Sequence, residues 1–275
     1  MATKIKKSIL YLALILVSIT CLLPFLLMMV NATRSGREIM TSFTFIPGHS
    51  LKENWSIVTG YFNLFLGFFN SVKVAVPATI LTAYFSALTA YALAVYRFRG
   101  GTVFFSVIIG FMMIPAQLSL LGFYNLISRL HLTDSYIPLI VPAVASPAIV
   151  FFLRQYIKSV FSTTIMEAAR IDGASEIVIF HRIALPIMSP GIATMSIGAF
   201  VGNWNSYLVP LILLSTPKKF TLPVMIASLN SSRDIAANQG ATYLAVAISV
   251  IPILIVFAFC SKYIVSSISA GGVKE

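Results

Sequence analysis

Charged residues are scarce in this sequence. Asp, Glu, Lys and Arg make up 10% of the 275 residues, whereas a soluble globular domain carries about 25% charged residues. Hydrophobic residues account for 58% of the chain, and the mean hydropathy is +0.93. This balance excludes a water-soluble domain, a disordered tail and a secreted disulfide scaffold. The apolar runs are long enough for helices rather than barrel strands, so the sequence indicates an integral membrane protein.

Cysteine and acidic residues are also few. Cys21 and Cys260 both lie inside apolar stretches, so they form no metal-ligand spacing and give no reason to expect a disulfide. The chain has 8 acidic against 19 basic residues, a net charge of +11. The basic residues form short clusters between apolar runs, a pattern typical of membrane topology signals rather than of nucleic-acid binding.

Six stretches are long and apolar enough to span a bilayer, which takes about 20 residues. We predict membrane helices over 9–30, 68–96, 102–126, 136–157, 191–214 and 240–266. An even number of spans places both termini on one side. Most Lys and Arg residues fall in the N-terminus and the loops of that side, so we expect both termini in the cytoplasm.

The first span could be mistaken for a signal peptide because Lys4, Lys6 and Lys7 precede it. Its apolar run from Ile9 to Val30 has 22 residues, whereas the apolar region of a signal peptide has about 7 to 15. We therefore expect a retained helix after a cytoplasmic N-terminus of residues 1–8. An extracytoplasmic segment, 31–67, follows it and has room for short amphipathic helices. The core domain, 68–266, and a cytoplasmic tail, 267–275, complete the predicted organisation.

One cytoplasmic loop, 158–190, is much longer than the other inner loops. Thr164 and Glu167 have the spacing of a capping box, which predicts a helix start. Asp172 and Gly173 predict its end, because glycine adopts the left-handed conformation of a helix stop. A second helix is predicted over 175–184, before Pro186 and Pro190 lead into the fifth span.

The same loop resembles a known family motif. Glu167-Ala-Ala-Arg-Ile-Asp172-Gly-Ala, followed by Phe180, Leu185-Pro186 and Pro190, looks like the EAA loop in the membrane subunits of bacterial ABC importers. Three further segments are similar to the sugar-importing, maltose-type G-subunit branch. They are Gly202-Asn-Trp-Asn-Ser-Tyr-Leu-Val-Pro, Phe220-Thr-Leu-Pro-Val-Met and the ending Ile268-Ser-Ala-Gly-Gly-Val-Lys274. The resemblance covers nearly the whole chain.

The resemblance implies an all-α membrane protein with the six-helix type I ABC importer permease fold. Its expected partners are an ABC ATPase dimer, a second permease subunit that is a different chain in the family's usual pattern, an extracytoplasmic solute-binding protein, a sugar and membrane lipid. The chain carries no phosphate-binding loop of the G-x-x-x-x-G-K-S/T type. We therefore expect no bound cofactor, no metal and no catalytic residue, with ATP and Mg²⁺ on the partner ATPase.

The resemblance also implies three groups of functional residues. The 164–184 loop would act as a coupling helix on the ATPase, through Glu167, Ala168, Ala169, Asp172, Gly173, Ala174, Phe180 and Pro186. Polar groups inside a membrane helix tend to face a cavity, and the candidates for a sugar pathway are Asn203, Trp204, Asn205 and Tyr207. A tail contact with the ATPase is expected at Gly271, Gly272 and Lys274. The outer loop 215–239 is expected to engage the binding protein.

Other functions stay open at this point. The cargo could be a solute other than a sugar, although the fifth-helix and tail segments argue against it. A stand-alone secondary transporter is disfavoured, because the six predicted helices contain no Asp or Glu for ion coupling. A membrane-embedded enzyme is disfavoured because neither H-E-x-x-H nor G-x-S-x-G occurs.

Overall fold

The computed structural model describes residues 2–230 and 235–272, with side chains for 6–115, 117–229 and 239–261. All regular secondary structure within these ranges is helical. The α-helices are α1 (Ala2–Asn31), α2 (Gly36–Thr41), α3 (Leu51–Tyr61), α4 (Leu64–Val95), α5 (Gly101–Met112), α6 (Leu120–Arg129), α7 (Ile137–Ile140), α8 (Pro147–Val160), α9 (Thr163–Ile171), α10 (Glu176–Ile179), α11 (Leu185–Trp204), α12 (Leu208–Leu213), α13 (Leu222–Asn230) and α14 (Ile235–Gly272).

Among the described residues, five helical stretches are long and apolar enough to cross a membrane. They are Lys6–Asn31, Leu64–Val95, Ile137–Val160, Glu176–Trp204 and Gln239–Ser261. A sixth span results if α5 and α6 are counted together. The structure therefore agrees with a multi-pass helical membrane protein.

The third span is not the single helix predicted over 102–126. Helix α5 ends at Met112, and the pair Gly101–Met112 and Gln117–Arg129 is bent by 86°. Pro115 lies at the break with an extended backbone, φ −61° and ψ 123°. Proline lacks the N–H that would continue the helix and disfavours a helical conformation in the residue before it, so the chain turns here.

The predicted fourth and fifth spans are also interrupted. A 3₁₀ turn, Val141–Val144, separates α7 from α8, and Pro138, Pro142 and Pro147 fall in this region. The stretch predicted as 191–214 is helical only to Trp204 and resumes in the short α12. Pro210 cannot donate a helical hydrogen bond to the residue four positions earlier, which favours this second break.

The fifth span begins earlier than predicted. The sequence predicts a separate helix over 175–184, but the helical run from Glu176 to Trp204 is continuous through a π turn at Phe180–Ala184. Within this turn the Leu185 N–H donates to the Phe180 carbonyl. This hydrogen bond spans five residues instead of the usual four, as in a π-helix, and the helix then continues through Pro186.

Residues Met1–Phe68 and Leu222–Ile251 form one compact unit. The segment 31–67 of this unit folds around the Asn54 amide, which donates to the carbonyls of Ala32 and Arg34. The buried Arg34 side chain in turn donates to the carbonyls of Glu38 and Ser42. A Cβ at Gly240 would lie 2.0 Å from the Arg34 carbonyl oxygen, so α14 needs glycine there.

Residues Phe69–Thr221 and Pro252–Glu275 form the second compact unit. Its main core joins the C-terminal half of α4 to α8, the π turn and α11, through Tyr91, Leu153, Ile157, Phe180, Ala184 and Met188. Helix α11 approaches α8 closely at Gly191, where a Cβ would lie 2.6 Å from the Tyr156 ring. This packing lies next to the loop that contains α9.

Candidate functional site

The loop predicted over 158–190 contains the nine-residue helix α9. Ser162 caps its start, because the Ser162 Oγ accepts from the Thr164 N–H at 3.3 Å. The predicted capping box of Thr164 and Glu167 was therefore wrong: the cap lies two residues earlier, and the third helical position is Ile165. Glu167 makes no hydrogen bond or ion pair among the described residues, and its side chain is exposed.

The predicted helix stop at Asp172 and Gly173 is present. Gly173 has φ +81°, the left-handed conformation that glycine adopts without strain. The Gly173 N–H donates to the Arg170 carbonyl, and the Ala174 N–H donates to the Ala169 carbonyl. This pair of bonds is a Schellman motif, and it reverses the chain sharply between α9 and α10.

Helix α9 has a buried face and an exposed face. Met166 and Ala169 are buried against Ile179, while Ala174 packs at the edge of this cluster. The Tyr91 hydroxyl also contacts the Met166 Sδ at 3.8 Å. The exposed face carries Glu167, Ala168, Ile171, Asp172 and Gly173. The Ile171 side chain is 87% exposed. Sequence reasoning did not single out Ile171, although an isoleucine next to a helix stop in a polar turn is a detectable signal.

Three side chains brace the loop against the end of α4. The Glu176 carboxylate accepts from the Arg170 Nε–H at 2.6 Å and from the Tyr96 hydroxyl. Burial, with the hydrogen bond to Glu176, raises the pKa of Tyr96, so the phenol stays protonated and can donate. The Arg170 guanidinium lies 5.9 Å from the centre of the Tyr96 ring. No sequence motif pointed to this brace.

Phe180 and Pro186 have different surroundings. Phe180 is 3% exposed, and its ring centroid lies 5.4 Å from that of Tyr91. It anchors the start of the fifth span in the core of the second unit. Pro186 is exposed in the first turn of α11. The eight predicted coupling residues thus divide into an exposed set and an anchoring set that holds α9 in place.

The predicted pathway residues lie around the break after α11. The Asn203 amide donates to the Thr79 Oγ1 at 3.3 Å and lines a cavity of about 310 Å³. Trp204 is 1% exposed and stacks on Phe200, with ring centroids 5.7 Å apart. Asn205 and Tyr207 are exposed and are not among the residues that line this cavity.

The cavity beside Asn203 occurs where three spans are interrupted. Its wall takes Ser119 from the break between α5 and α6, Pro138 from α7, Pro142 from the turn between α7 and α8, and Ser206 from the break after α11. Phe123 adds an aromatic ring, and no charged side chain of the described residues lines the space. Irregular backbone at membrane depth is tolerated where it lines a cavity.

The predicted tail contact is described only in part. Gly271 and Gly272 are the last residues of α14, whereas Lys274 lies outside the described residues. Among the described residues there is no group of three His, Cys, Asp or Glu side chains that could hold a metal ion.

The long apolar helices define a multi-pass helical membrane protein. The chain belongs to the family described as "Binding-protein-dependent transport system inner membrane component", which matches residues 80–270. The match includes the α9 loop, the brace residues and the breaks around the cavity.

Similar proteins cover most of the chain. It is 38% identical over 210 residues to the arabinooligosaccharides transport system permease protein AraQ of Bacillus subtilis, covering 76% of this chain and 74% of that protein. It is 31% identical to the diacetylchitobiose uptake system permease protein NgcG of Streptomyces coelicolor, covering 94% and 86%. A crystal structure of a bacterial ABC transporter for import of the acidic polysaccharide alginate matches with a TM-score of 0.80 and 22% identity, covering 96% and 98%. That last likeness bears on the fold alone.

Proposed function

We propose that the chain is the permease subunit of an ATP-driven importer of a sugar or oligosaccharide. Membership of the binding-protein-dependent family supports the importer role, and the sugar cargo is supported by the names of the relatives, whose stated substrates are oligosaccharides. An extracytoplasmic solute-binding protein would deliver the sugar, a second permease chain would complete the pathway, and both termini would lie in the cytoplasm of a bacterial cell.

The coupling role rests on the exposed face of α9. Small residues and Ile171 face outward, whereas Met166 and Ala169 hold the helix to the chain from behind. A short helix presented in this way can enter a cleft of the ATPase, and movement of the cleft would then carry α9 and α11 together. This would be a rigid-body switch of the kind that drives alternating access. The ATPase, rather than this chain, would bind ATP and Mg²⁺.

Glu167→Lys tests this role. Glu167 is exposed and has no ion-pair partner among the described residues, so its replacement should leave the fold of the chain intact. We expect the variant to insert normally but to lose the ATPase during purification in mild detergent. Glu53→Lys is the matched control, because Glu53 is an exposed carboxylate in the predicted extracytoplasmic segment. Wild-type transport by Glu167→Lys would refute the docking role.

The sugar pathway is proposed at the cavity beside Asn203. Its neutral lining, with two serine hydroxyls, an amide and the Phe123 ring, suits an uncharged polyol better than an ion. Trp204 would hold Asn203 in place from behind, while Asn205 and Tyr207 would contact the sugar only outside the cavity. Asn203→Ala should raise the KM for transport about tenfold, the effect of losing one hydrogen bond to a bound ligand. If Asn205→Ala raised the KM for transport more than Asn203→Ala does, the sugar would instead bind at the exposed residues.

The tail is proposed as a secondary ATPase contact through Gly271, Gly272 and Lys274. Truncation after Ile268 should weaken assembly less than Glu167→Lys does. Normal assembly and transport without these residues would make the tail dispensable.

A further inference from the structure

An outer turn, 214–220, is fastened to the rest of the second unit by Asp134. This residue lies between α6 and α7 and has φ 56°, a left-handed conformation that Asp tolerates better than most residues. The Asp134 N–H donates to the Leu213 carbonyl at 2.7 Å. The unusual backbone therefore directs the Asp134 side chain toward the residues that follow α12.

The Asp134 carboxylate accepts four hydrogen bonds from this turn. Its Oδ1 accepts from the N–H groups of Ser215 and Thr216, both at 3.0 Å. Its Oδ2 accepts from the Thr216 hydroxyl at 2.7 Å and from the Lys219 Nζ at 2.8 Å. The Lys219 Nζ also donates to the Asp134 carbonyl at 2.6 Å. Hydrogen bonds to an ionised acceptor are stronger than neutral ones, so this clasp fixes the backbone of the turn.

Two further side chains hold the far side of the turn. The Asn70 amide on α4 donates to the carbonyls of Lys218 and Phe220, at 2.9 and 3.0 Å. The Tyr136 hydroxyl donates to the Lys219 carbonyl at 3.0 Å. Pro217 and Lys218 remain exposed at the tip. The turn is therefore an exposed loop with a fixed shape, whereas exposed loops are usually more mobile than the elements that they connect.

The turn is also continuous with the cavity wall. Val209 and Pro210 of α12 line the cavity, and the clasped residues begin shortly after α12 ends. A partner that engages the turn would thus contact a rigid extension of the wall. Fixing a contact surface before binding lowers the ordering cost of association.

We infer that Asp134 is a positioning residue that holds the 214–220 turn in the shape that the external solute-binding protein engages. The inference rests on the proposed function, because it requires a solute-binding protein that activates transport from outside. It assigns no contact of Asp134 with the sugar or the ATPase. Its expected signature is a weaker response to the binding protein in a complex that is otherwise assembled.

The test uses the complete importer in proteoliposomes, with the ATPase, the second permease chain and the solute-binding protein that co-purify with this chain. ATP hydrolysis is measured over a range of binding-protein concentrations. Asp134→Asn should raise the concentration for half-maximal stimulation about tenfold, because the turn must then be ordered during binding. Lys219→Met keeps three of the four donors to the carboxylate, so it should raise that concentration about threefold and assemble normally.

Two controls separate positioning from general stability. Glu53→Gln removes an exposed carboxylate that has no described partner and should leave the concentration unchanged. The double variant Asp134→Ala with Lys219→Met should be only slightly weaker than Asp134→Ala alone, because beyond the broken clasp it loses just the Lys219 bond to the Asp134 carbonyl.

The outcomes are distinct. An assembled Asp134→Asn or Lys219→Met complex with the wild-type stimulation curve would overturn the inference while leaving the importer assignment intact. If Asp134→Asn fails to assemble, the stimulation curve of Lys219→Met decides alone: a shift to higher binding-protein concentration supports the inference, and no shift overturns it. A wild-type complex that no binding protein stimulates would instead refute the proposed function.

Discussion

Arg170 and Glu176 form an ion pair across the turn that joins α9 to α10, with the Arg170 Nε 2.6 Å from the Glu176 Oε1. Both side chains are partly exposed, 40% and 48%, and exposed ion pairs contribute little to stability. The pair instead helps to orient α9, because Glu176 also accepts a hydrogen bond from the Tyr96 hydroxyl at the end of α4. The brace thus fixes the orientation of the proposed coupling helix against the second span.

Glu176→Gln should weaken coupling between the ATPase and transport. The neutral amide loses the charge-assisted bond to Arg170, so α9 would be less firmly held while the buried contacts of Met166 and Ala169 remain. We expect transport per ATP hydrolysed to fall by roughly three- to tenfold, the range of substitutions within coupling networks.

Tyr96→Phe offers a matched test of the same brace, because it removes only the hydroxyl donor to Glu176. It should also reduce the ratio of transport to ATP hydrolysis, but by less than Glu176→Gln does. If both variants keep the wild-type ratio, the brace has no part in coupling.

Gly173→Ala should destabilise the α9 turn. A Cβ at this position meets nothing within 4 Å, so the effect comes from the left-handed backbone alone, at φ +81°. Left-handed conformations cost an ordinary residue about 1–2 kcal/mol. Gly173→Asn should be milder, because Asn tolerates this region. Thermal unfolding and ATPase co-purification of the two variants would measure the difference, and equal effects would point to a docking surface that excludes any side chain.

Gly191→Ala should destabilise the second unit by overpacking. The added Cβ would lie 2.6–2.9 Å from atoms of the Tyr156 ring, and overpacking typically costs about 1–3 kcal/mol. Gly198→Ala on the same helix is the control, since nothing lies within 4 Å of its Cβ. The unfolding temperature in detergent should fall for Gly191→Ala and stay nearly unchanged for Gly198→Ala. The reverse order would contradict the described packing of α11 on α8.

The Asp134 clasp should lose its contribution to stability only in acid. The hydrogen bond from Lys219, with those from Thr216 and Ser215, holds the pKa of the Asp134 carboxyl well below its usual range. Since the folded-state pKa is lowered, the contribution is complete above the ordinary aspartate pKa of about 4 and declines as the pH falls below it. Burial raises the pKa of Tyr136 beside the clasp, so this phenol stays protonated throughout that range.

The measurement is the difference in unfolding temperature between wild type and Asp134→Asn from about pH 8 to pH 3. It should be constant in the upper part of this range and shrink below about pH 4. In a Lys219→Met background the Asp134→Asn difference should be smaller, and its decline should still begin at about pH 4 but end at a higher pH, because the largest cause of the lowered folded-state pKa is gone. A difference that widens in acid would contradict the clasp.

Local signals determined much of this protein. Long apolar runs require membrane helices because backbone groups in lipid must be hydrogen-bonded internally, and the structure has five such helices among the described residues. The resemblance of the 167–190 motif indicated a binding-protein-dependent permease, and the family match bears this out. Gly173 was predictable as a helix stop, since only the residue type and its place after Asp172 are needed. The start of α9 was not, because Ser162 and Thr164 are both plausible caps until the backbone selects one.

Contacts between distant residues were decided only by the tertiary structure. The prolines in the third, fourth and fifth spans are compatible with either a kink or a full break of the helix. Packing determines which of the two occurs. Around Asn203 the breaks leave a cavity. The Tyr96–Glu176 bond and the Asp134–Lys219 clasp join residues 80 and 85 positions apart. Sequence spacing carries no record of such pairs. Apolar content therefore determined which regions form membrane helices, and Gly173 determined where α9 ends, because these depend on local residue types. Folding in three dimensions decided where the third, fourth and fifth spans break and which side chains hold the loops in position, because these depend on contacts between distant residues.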